Sequence, residues 1–484
     1  MTCVTDLHEA RFYEPLPGDQ VLCTLCPHDC RIPNHGRGAC GVRYHCDGKL
    51  YTLVYDRVVA REVNPIEKKP LFHFHPGSTA YSIATVGCNL RCAYCQNWTI
   101  SQWPKDHLPK RLPAADAPEP ICLRLEALDA QVAGEPITPA EIVRAARRTG
   151  CRSISYTFTE PTIFYELAYD TAVLAREQGL KNNFVSNGFI SEVPLRAIAP
   201  LLDAANIDLK FFRETSYRRI SRARLQPILE AIRLYHALGV WLEVTTLVVP
   251  GLNDSDAELT EIATFLRDLD PAIPWHLNRY FPAYEMFDRP PTPVATLRRA
   301  CAIGRQAGLR YVYEGNMPGE DGENTYCYRC DALLIERYGF FVRQNRIRAG
   351  ACPDLRDGDR RGGPERRLNA EGADPRRSRA AGRGTAVALA RPAAPRPPAG
   401  RPRNGAGALW HLLAPDHLRP AEPGGVAALL AVSPMSRPAA DIRLASGSQQ
   451  AGWAERLQVR PAERSPASRP RTPASPAVTA ARRG

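Results

Sequence analysis

Cys88, Cys92 and Cys95 stand in the stretch Val86-Gly87-Cys88-Asn89-Leu90-Arg91-Cys92-Ala93-Tyr94-Cys95-Gln96-Asn97, a C-x3-C-x2-C spacing that puts three thiols on one short loop. Thiolates are the usual ligands of iron–sulfur clusters, and a [4Fe-4S] cube has four iron corners. Three thiolates hold three irons and leave the fourth without a protein ligand, open to a substrate. A fourth cysteine nearby would close the cube and leave it only electron transfer to do. The next cysteine is Cys122, in the apolar run Ile121-Cys122-Leu123, where it reads as a small buried hydrophobe. The competing reading is a zinc knuckle that borrows a distant histidine, although zinc ligand pairs normally come in two separated halves.

Such a loop needs a scaffold. Between residues 80 and 315, β-rich runs at 81–86, 153–158, 183–186, 205–209, 241–249, 275–280 and 309–313 alternate with amphipathic stretches near 139–149, 163–178, 191–202, 225–238, 256–268 and 295–307. Alternation of this kind is the pattern of parallel β/α units. Thr138-Pro139-Ala140-Glu141 predicts one helix start, with a threonine cap, proline in the first turn and glutamate three residues on. The expected fold is α/β, a partial or complete parallel β/α barrel. Chemistry in such folds collects where the strands end. The cysteine loop follows the first strand, Thr159-Glu160-Pro161 the second, Ser186-Asn187-Gly188 the third, and Asp208-Leu209-Lys210 closes the fourth. Taken singly, each tripeptide is also an ordinary turn or strand exit. The proline- and acid-rich connection from Gln102 to Ile137 is too long for a simple loop. It reads as a mobile insert, in preference to a substrate lid, with a short helix at 123–131.

Two further cysteine groups flank the barrel. Cys23, Cys26, Cys30 and Cys40 lie within eighteen residues, with Gly36, Gly38 and Gly41 to allow tight turning. They make a compact four-ligand site for zinc or for a second iron–sulfur cluster, with Cys46 and His28 as spare ligands. Spacing leaves the metal open; a closed structural site is the simpler reading. After the barrel, Cys327-Tyr328-Arg329-Cys330 and Cys352-Pro353 form three parts of another four-thiol site, but Leu355 stands where the fourth cysteine belongs. Composition then changes abruptly to Arg, Pro, Ala and Gly, which points to a frameshift or gene fusion near residue 354. A cysteine codon in an alternative frame just after Pro353 is the expected trace of it.

That boundary also explains the charge. The net charge of +12 invites a nucleic-acid reading, but residues 356–484 hold 23 arginines, no lysine and 10 acidic residues, so the first 355 residues carry a net −1. The tail has 17 prolines and only 16 Leu, Ile, Val or Phe in 129 residues, too few to offset chain entropy, and is expected to be disordered. Its arginine pairs could touch nucleic acid, yet a solvated tail is the plainer reading and the neutral remainder disfavours strong phosphate binding. The expected organisation is a Cys-rich segment at 1–75, a core barrel at 76–315, a Cys-containing extension at 316–355 and the tail at 356–484. The N-terminus lacks a basic head followed by an apolar run, and no stretch approaches a membrane span. Clustered cysteines then fit a reducing cytoplasm.

The cluster loop, with its aromatic Tyr94 before the third cysteine, resembles the signature of the radical S-adenosylmethionine (SAM) superfamily. A fuller resemblance is to the radical SAM enzyme of the AmmeMemoRadiSam system. It runs through Cys23 to Cys40, Pro65-Ile66-Glu67-Lys68-Lys69-Pro70-Leu71, the cluster loop, Tyr156 to Tyr165, Ser186-Asn187-Gly188-Phe189, Asp208-Leu209-Lys210, Trp275-His276, Arg279-Tyr280-Phe281-Pro282 and Gly315-Asn316. The 102–137 insert and the broken third cysteine group depart from that pattern. The chain is also similar to pyruvate formate-lyase activating enzymes. These resemblances imply a [4Fe-4S] cluster on Cys88, Cys92 and Cys95, with SAM chelating the open iron. Glu160 would accept from the SAM ammonium, the Tyr94 backbone would meet the adenine, and Ser186 and Asn187 the ribose. Asp208, Lys210 and His276 would flank the sulfonium. The implied reaction is reductive cleavage of SAM to a 5′-deoxyadenosyl radical that abstracts hydrogen, fed by a donor such as flavodoxin or ferredoxin, with AMMECR-type and Memo-type proteins as companions. Activation of a glycyl-radical protein is the alternative; an electron-transfer or metal-binding module is the alternative of another class.

Overall fold

The computed structural model describes residues 7–111, 131–317, 321–348 and 350–355. Its centre is one eight-stranded sheet: β1 (Ala60–Pro65), β2 (Thr79–Ala84), β3 (Ser153–Tyr156), β4 (Lys181–Ser186), β5 (Ala204–Asp208), β6 (Trp241–Val248), β7 (Trp275–Arg279) and β8 (Val312–Gly315). The strands lie side by side in chain order. β2 to β8 are parallel, β1 is antiparallel to β2, and β1 and β8 are the two edges. Of the two expected forms, this is the open, partial barrel. The helices Pro139–Arg148, Tyr165–Glu177, Glu192–Ile198, Leu225–Ala237, Asp256–Leu269 and Val294–Gln306 fill the crossovers, as parallel neighbours require.

Alternation along the strands assigns the two faces. Tyr156, Phe184, Ile207, Val244 and Trp275 are fully buried in the main apolar core. The intervening positions carry polar side chains that bond to each other across strands: Ser155 Oγ to Asn183 Oδ1 at 2.6 Å and Thr245 Oγ1 to Asn206 Oδ1 at 2.9 Å. Paired in this way, they can stay buried without a desolvation cost. Thr138 caps the first crossover helix in the expected capping box, with Glu141 N to Thr138 Oγ1 at 3.3 Å and Thr138 N to Glu141 Oε2 at 2.8 Å.

Ala60–Pro65, placed by sequence in the Cys-rich segment, is an edge strand of the main sheet. Its antiparallel direction hides it from a search for β/α units. Residues 66–75 then form a strap. Phe72 N and His73 N donate to Glu243 of β6 at 2.9 and 2.8 Å. Further upstream, two small antiparallel sheets are tied to the barrel by Arg43, whose guanidinium meets both oxygens of Glu166 at 2.7 and 2.9 Å with both side chains buried. Beyond the barrel, β9 (Thr325–Tyr326), β10 (Leu333–Tyr338) and β11 (Phe341–Asn345) make a three-stranded antiparallel sheet. Arg337 of β10 anchors it by donating to Glu323 O, Thr325 Oγ1 and Phe72 O.

The insert differs from expectation at both ends. Arg37 donates to the carbonyls of Pro109 (2.7 Å), Pro104 (2.9 Å) and Leu108 (2.6 Å), and Glu135–Pro136 pairs with Arg57–Val58. One guanidinium gathers carbonyls that a proline-rich chain leaves unpaired, so these stretches are docked. Cys122, nearly all of the helix expected at 123–131, and the 356–484 tail with its expected disorder and frame change lie outside the described residues. Among the described residues, no helix is long and apolar enough to cross a membrane.

Candidate functional site

The cysteine loop leaves β2 through Gly87, at φ +104°, where a Cβ would stand 2.9 Å from Val42 Cγ1 and 3.2 Å from Cys40 O. Only glycine allows that approach. The loop is then carried from three sides. Arg91 N and Ala93 N donate to Ser221 O (3.0 Å) and Ile220 O (2.9 Å) of a π-helical turn at Tyr217–Ser221. Asn187 Nδ2 donates to Asn89 Oδ1 at 2.9 Å and to Cys88 Sγ at 3.7 Å, and Asn89 Nδ2 donates to Phe189 O at 2.7 Å. On the third side, Lys105 Nζ donates to Leu90 O at 2.7 Å.

The sulfurs face donors and cations. Leu90 N donates to Cys88 Sγ at 3.4 Å, and Ser101 Oγ lies 3.2 Å from Cys95 Sγ. Burial pushes the thiols of Cys88 and Cys95 above their usual range, while Lys105 favours the Cys88 thiolate and the Ser101 bond that of Cys95. Lys210 Nζ donates to Asp208 Oδ2 at 2.7 Å, and its N–H is within 2.9 Å of Tyr217 Oη in the π-helical turn. Burial opposes the Lys210 charge, but Asp208, Tyr94 and Cys92 outweigh it and hold the ammonium well above the usual lysine value. The buried Tyr94 hydroxyl has no hydrogen-bond partner among the described residues. Among those residues, only Cys327, Cys330 and Cys352 bring three ligand atoms within 4.8 Å of one another.

Residues 82–263 match the radical SAM superfamily, a span that runs from β2 through the cysteine loop into the helix after β6. The chain is 45% identical over 335 residues to an uncharacterized protein of Methanocaldococcus jannaschii, an alignment that covers 69% of this chain and 92% of that one. The chain belongs to the radical SAM superfamily. Among solved structures it is similar to a domain of pyruvate-formate lyase-activating enzyme from Bacteroides vulgatus (17% identity, 34% of this chain and 99% of that one, TM-score 0.31). It is also similar to SuiB of Streptococcus suis bound to S-adenosylmethionine (13% identity, 48% and 49%, TM-score 0.35). Membership implies SAM and a [4Fe-4S] cluster, and the donor set of the loop fits such a group: three thiols, N–H donors to sulfur and two flanking lysines.

The other residues expected at the site have protein partners of their own. Glu160 is 1% exposed and aimed into the protein. Its Oε1 accepts from Thr162 N (3.0 Å), Thr162 Oγ1 (2.7 Å) and Ser186 Oγ (2.8 Å), and its Oε2 from Asn187 N (2.8 Å). These bonds make Glu160 a clamp on the Ser186–Asn187 turn. Ser186 and Asn187, expected at the ribose, also bond within this turn: Ser186 Oγ accepts from Gly188 N, and Asn187 Oδ1 from Phe189 N. Gly188, at φ +71° with Ile207 Cγ2 2.8 Å from a Cβ position, lets this turn form. His276 is 2% exposed and its Nε2 bonds Glu243 Oε2 at 2.7 Å, with Phe72 and Tyr313 against its ring. Burial works against charge on Glu243, but the His276 bond and charge outweigh it and lower its pKa. The structure joins His276 to the strap, and none of its recorded partners belongs to the cysteine loop. Asp208, Lys210 and Tyr94 do gather at that loop. Sequence reading missed Lys105 and the π-helical turn, which do not directly follow a strand end, and Asn89, whose partners Asn187 and Phe189 are remote in sequence.

The first cysteine group touches the same loop. Cys23 and Cys30 are opposite each other on paired strands, and Ala39 N donates to Cys30 Sγ at 3.4 Å. Burial raises the thiol pKa of Cys23, Cys26 and Cys30, each of which feels Cys40. His28, expected as a spare ligand, instead holds Asn89 O at 2.7 Å. A carbonyl only accepts, so His28 Nε2 carries the proton, and burial lowers the ring pKa. Cys46, the other spare, ends its strand opposite Lys49. A cavity of about 550 Å³ opens beside His28 and Phe189, and Arg218, Arg222 and Arg224 line it.

Proposed function

We propose that this protein is a SAM-cleaving radical enzyme whose cluster is held by Cys88, Cys92 and Cys95. The observation that carries the proposal is the loop itself: three thiols at C-x3-C-x2-C spacing on a loop whose backbone is pinned by other elements. Cys88, Cys92 and Cys95 would hold the [4Fe-4S] cluster, which would supply the one-electron chemistry for reductive cleavage of SAM. The chain's own residues position and exclude. Lys210, kept charged by Asp208, presents an ammonium beside Cys92 and Tyr94, where a carboxylate of SAM finds a charge-assisted partner. The orphaned Tyr94 hydroxyl is a second donor there. Glu160, Ser186 and Asn187 fix the turn that bonds Cys88 and Asn89. His276 with Glu243 acts through the strap.

The finer reading is the radical SAM enzyme of the AmmeMemoRadiSam system, with AMMECR-type and Memo-type companions, supported by the motif stretches at Cys23–Cys40, 65–71 and 275–282. Among radical reactions, oxidoreductase chemistry with a glycyl-radical or other protein substrate fits the activase-like resemblance. The exposed arginines Arg218, Arg222 and Arg224 beside the loop suit an acidic one-electron donor such as flavodoxin or ferredoxin. The deciding experiment reduces anaerobically reconstituted protein with SAM and measures 5′-deoxyadenosine in wild type and Cys92→Ala. Wild type forms it and the variant loses both cluster and product; retained cleavage in the variant overturns the assignment.

A further inference from the structure

The third cysteine group takes no part in the radical SAM site, yet it is the most tightly gathered of the three. The sulfurs of Cys327, Cys330 and Cys352 lie within 4.8 Å of one another, and Cys330 Sγ to Cys352 Sγ is 3.7 Å. A tetrahedral zinc with Zn–S of about 2.3 Å spaces its sulfurs at about 3.8 Å. That separation is far beyond the ~2.05 Å of a disulfide.

Each side of the group is built by backbone. Cys327 N donates to Ala332 O at 2.9 Å and Asp331 N to Cys327 O at 2.8 Å, with Asp331 in the left-handed region at φ +58°. This closes a tight turn that presents Cys327 and Cys330 on one side. From the other direction, Arg348 and Ala351 exchange backbone bonds at 3.1 and 3.0 Å and deliver Cys352. Arg346 Nη2 then fixes the next residues by donating to both carboxylate oxygens of Asp354 at 3.0 and 2.9 Å. Arg337 ties the sheet β9–β11 to the strap, but the sheet's own apolar cluster is small: Cys327, Leu334, Ile335, Ile347, Cys352 and Leu355. A core that small normally needs a metal or a disulfide.

We propose that Cys327, Cys330 and Cys352 bind one thiophilic divalent cation, zinc, as a three-thiolate site whose fourth position is open to water. The fourth position is open because residue 355, which shares the buried cluster with Cys327 and Cys352, is leucine. Cys330 is exposed, so the open vertex is reachable from solvent.

The test uses the full chain, purified anaerobically with zinc, as wild type, Cys330→Ser and Leu355→Cys. Zinc is counted by elemental mass spectrometry and its ligands by X-ray absorption. Wild type is expected to hold one zinc equivalent more than Cys330→Ser. Leu355→Cys is expected to keep that equivalent against about tenfold or more chelator, since losing even an outer-shell partner costs tenfold or more, and to convert its shell from three sulfurs to four. Cys330→Ser changes one exposed side chain to a near-isostere, and the gain in Leu355→Cys reads the site without removing a ligand. Equal zinc in wild type and Cys330→Ser overturns the proposal, as does a Cys330–Cys352 disulfide in the anaerobic protein. Neither outcome bears on SAM cleavage.

Discussion

Glu160→Gln separates two accounts of the radical SAM site. In the structure, Glu160 accepts four hydrogen bonds, two of them from the backbone N–H groups of Thr162 and Asn187 on different oxygens. A glutamine has one carbonyl oxygen, so whichever way the amide sits, one of those N–H groups faces a donor. Leaving one buried donor unsatisfied costs about 1–3 kcal/mol. If the lost partner is Asn187 N, the turn that donates to Cys88 Sγ and Asn89 Oδ1 loosens as well. Expected outcomes are a lowered midpoint of chemical unfolding by that amount and reduced iron retention during anaerobic gel filtration, with little change in the SAM concentration needed for half-maximal cleavage. Thermal or denaturant unfolding, iron analysis and deoxyadenosine kinetics check the three. A variant of unchanged stability and iron content but strongly raised KM for SAM would refute the clamp and restore the direct ammonium contact suggested by sequence.

Other perturbations test the rest of the frame. Glu166→Ala leaves the buried Arg43 guanidinium without its carboxylate and should cost about 3–5 kcal/mol in denaturant unfolding, with much of it recovered in Arg43→Met/Glu166→Leu. Lys69 is buried, bonded to Asn64 Oδ1 at 2.8 Å and set over the Phe158 ring, and burial lowers its pKa to about 7. The unfolded chain binds that proton up to about pH 10.5, so the folded state is penalised in full below pH 7 and the penalty disappears as pH rises through 7 to 10.5. Lys69→Met should therefore be more stable than wild type near pH 6, with the gain shrinking toward pH 10 in parallel unfolding curves. Reversing Arg218 and Arg222 to glutamate should slow turnover with flavodoxin, and weaken its salt dependence, while turnover with dithionite stays unchanged.

Much of the scaffold was legible because parallel β/α units announce themselves twice, as apolar runs and as the amphipathic stretches between them. The seven parallel strands fall within a few residues of the expected positions, and the capping box at Thr138 is present. The edge strand Ala60–Pro65 was not legible, since its partner lies downstream and its direction is antiparallel. At the site, the structure brings Asp208 and Lys210 together beside Cys92 and Tyr94, residues that the sequence had singled out at two separate strand ends. Glu160, Ser186 and Asn187 were found by position at the strand ends, but position does not say which way a side chain points. In the structure Glu160 accepts from Ser186 Oγ and Asn187 N, and the Asn187 side chain reaches Asn89 and Phe189 N. His276 shows the same limit: its partner Glu243 lies on the neighbouring strand but is remote in sequence, and only the fold joins them. Asn89 and Lys105 act on the loop through main-chain carbonyls and sulfur, contacts with no sequence period.

The central claim is that the Cys88–Cys95 loop holds a cluster with one iron open to SAM. Electron paramagnetic resonance of the reduced, reconstituted protein before and after SAM addition tests it most directly. The expected result is a SAM-dependent change in the cluster signal that is present in wild type and missing in Cys92→Ala; a reduced cluster whose spectrum SAM leaves unchanged would contradict it.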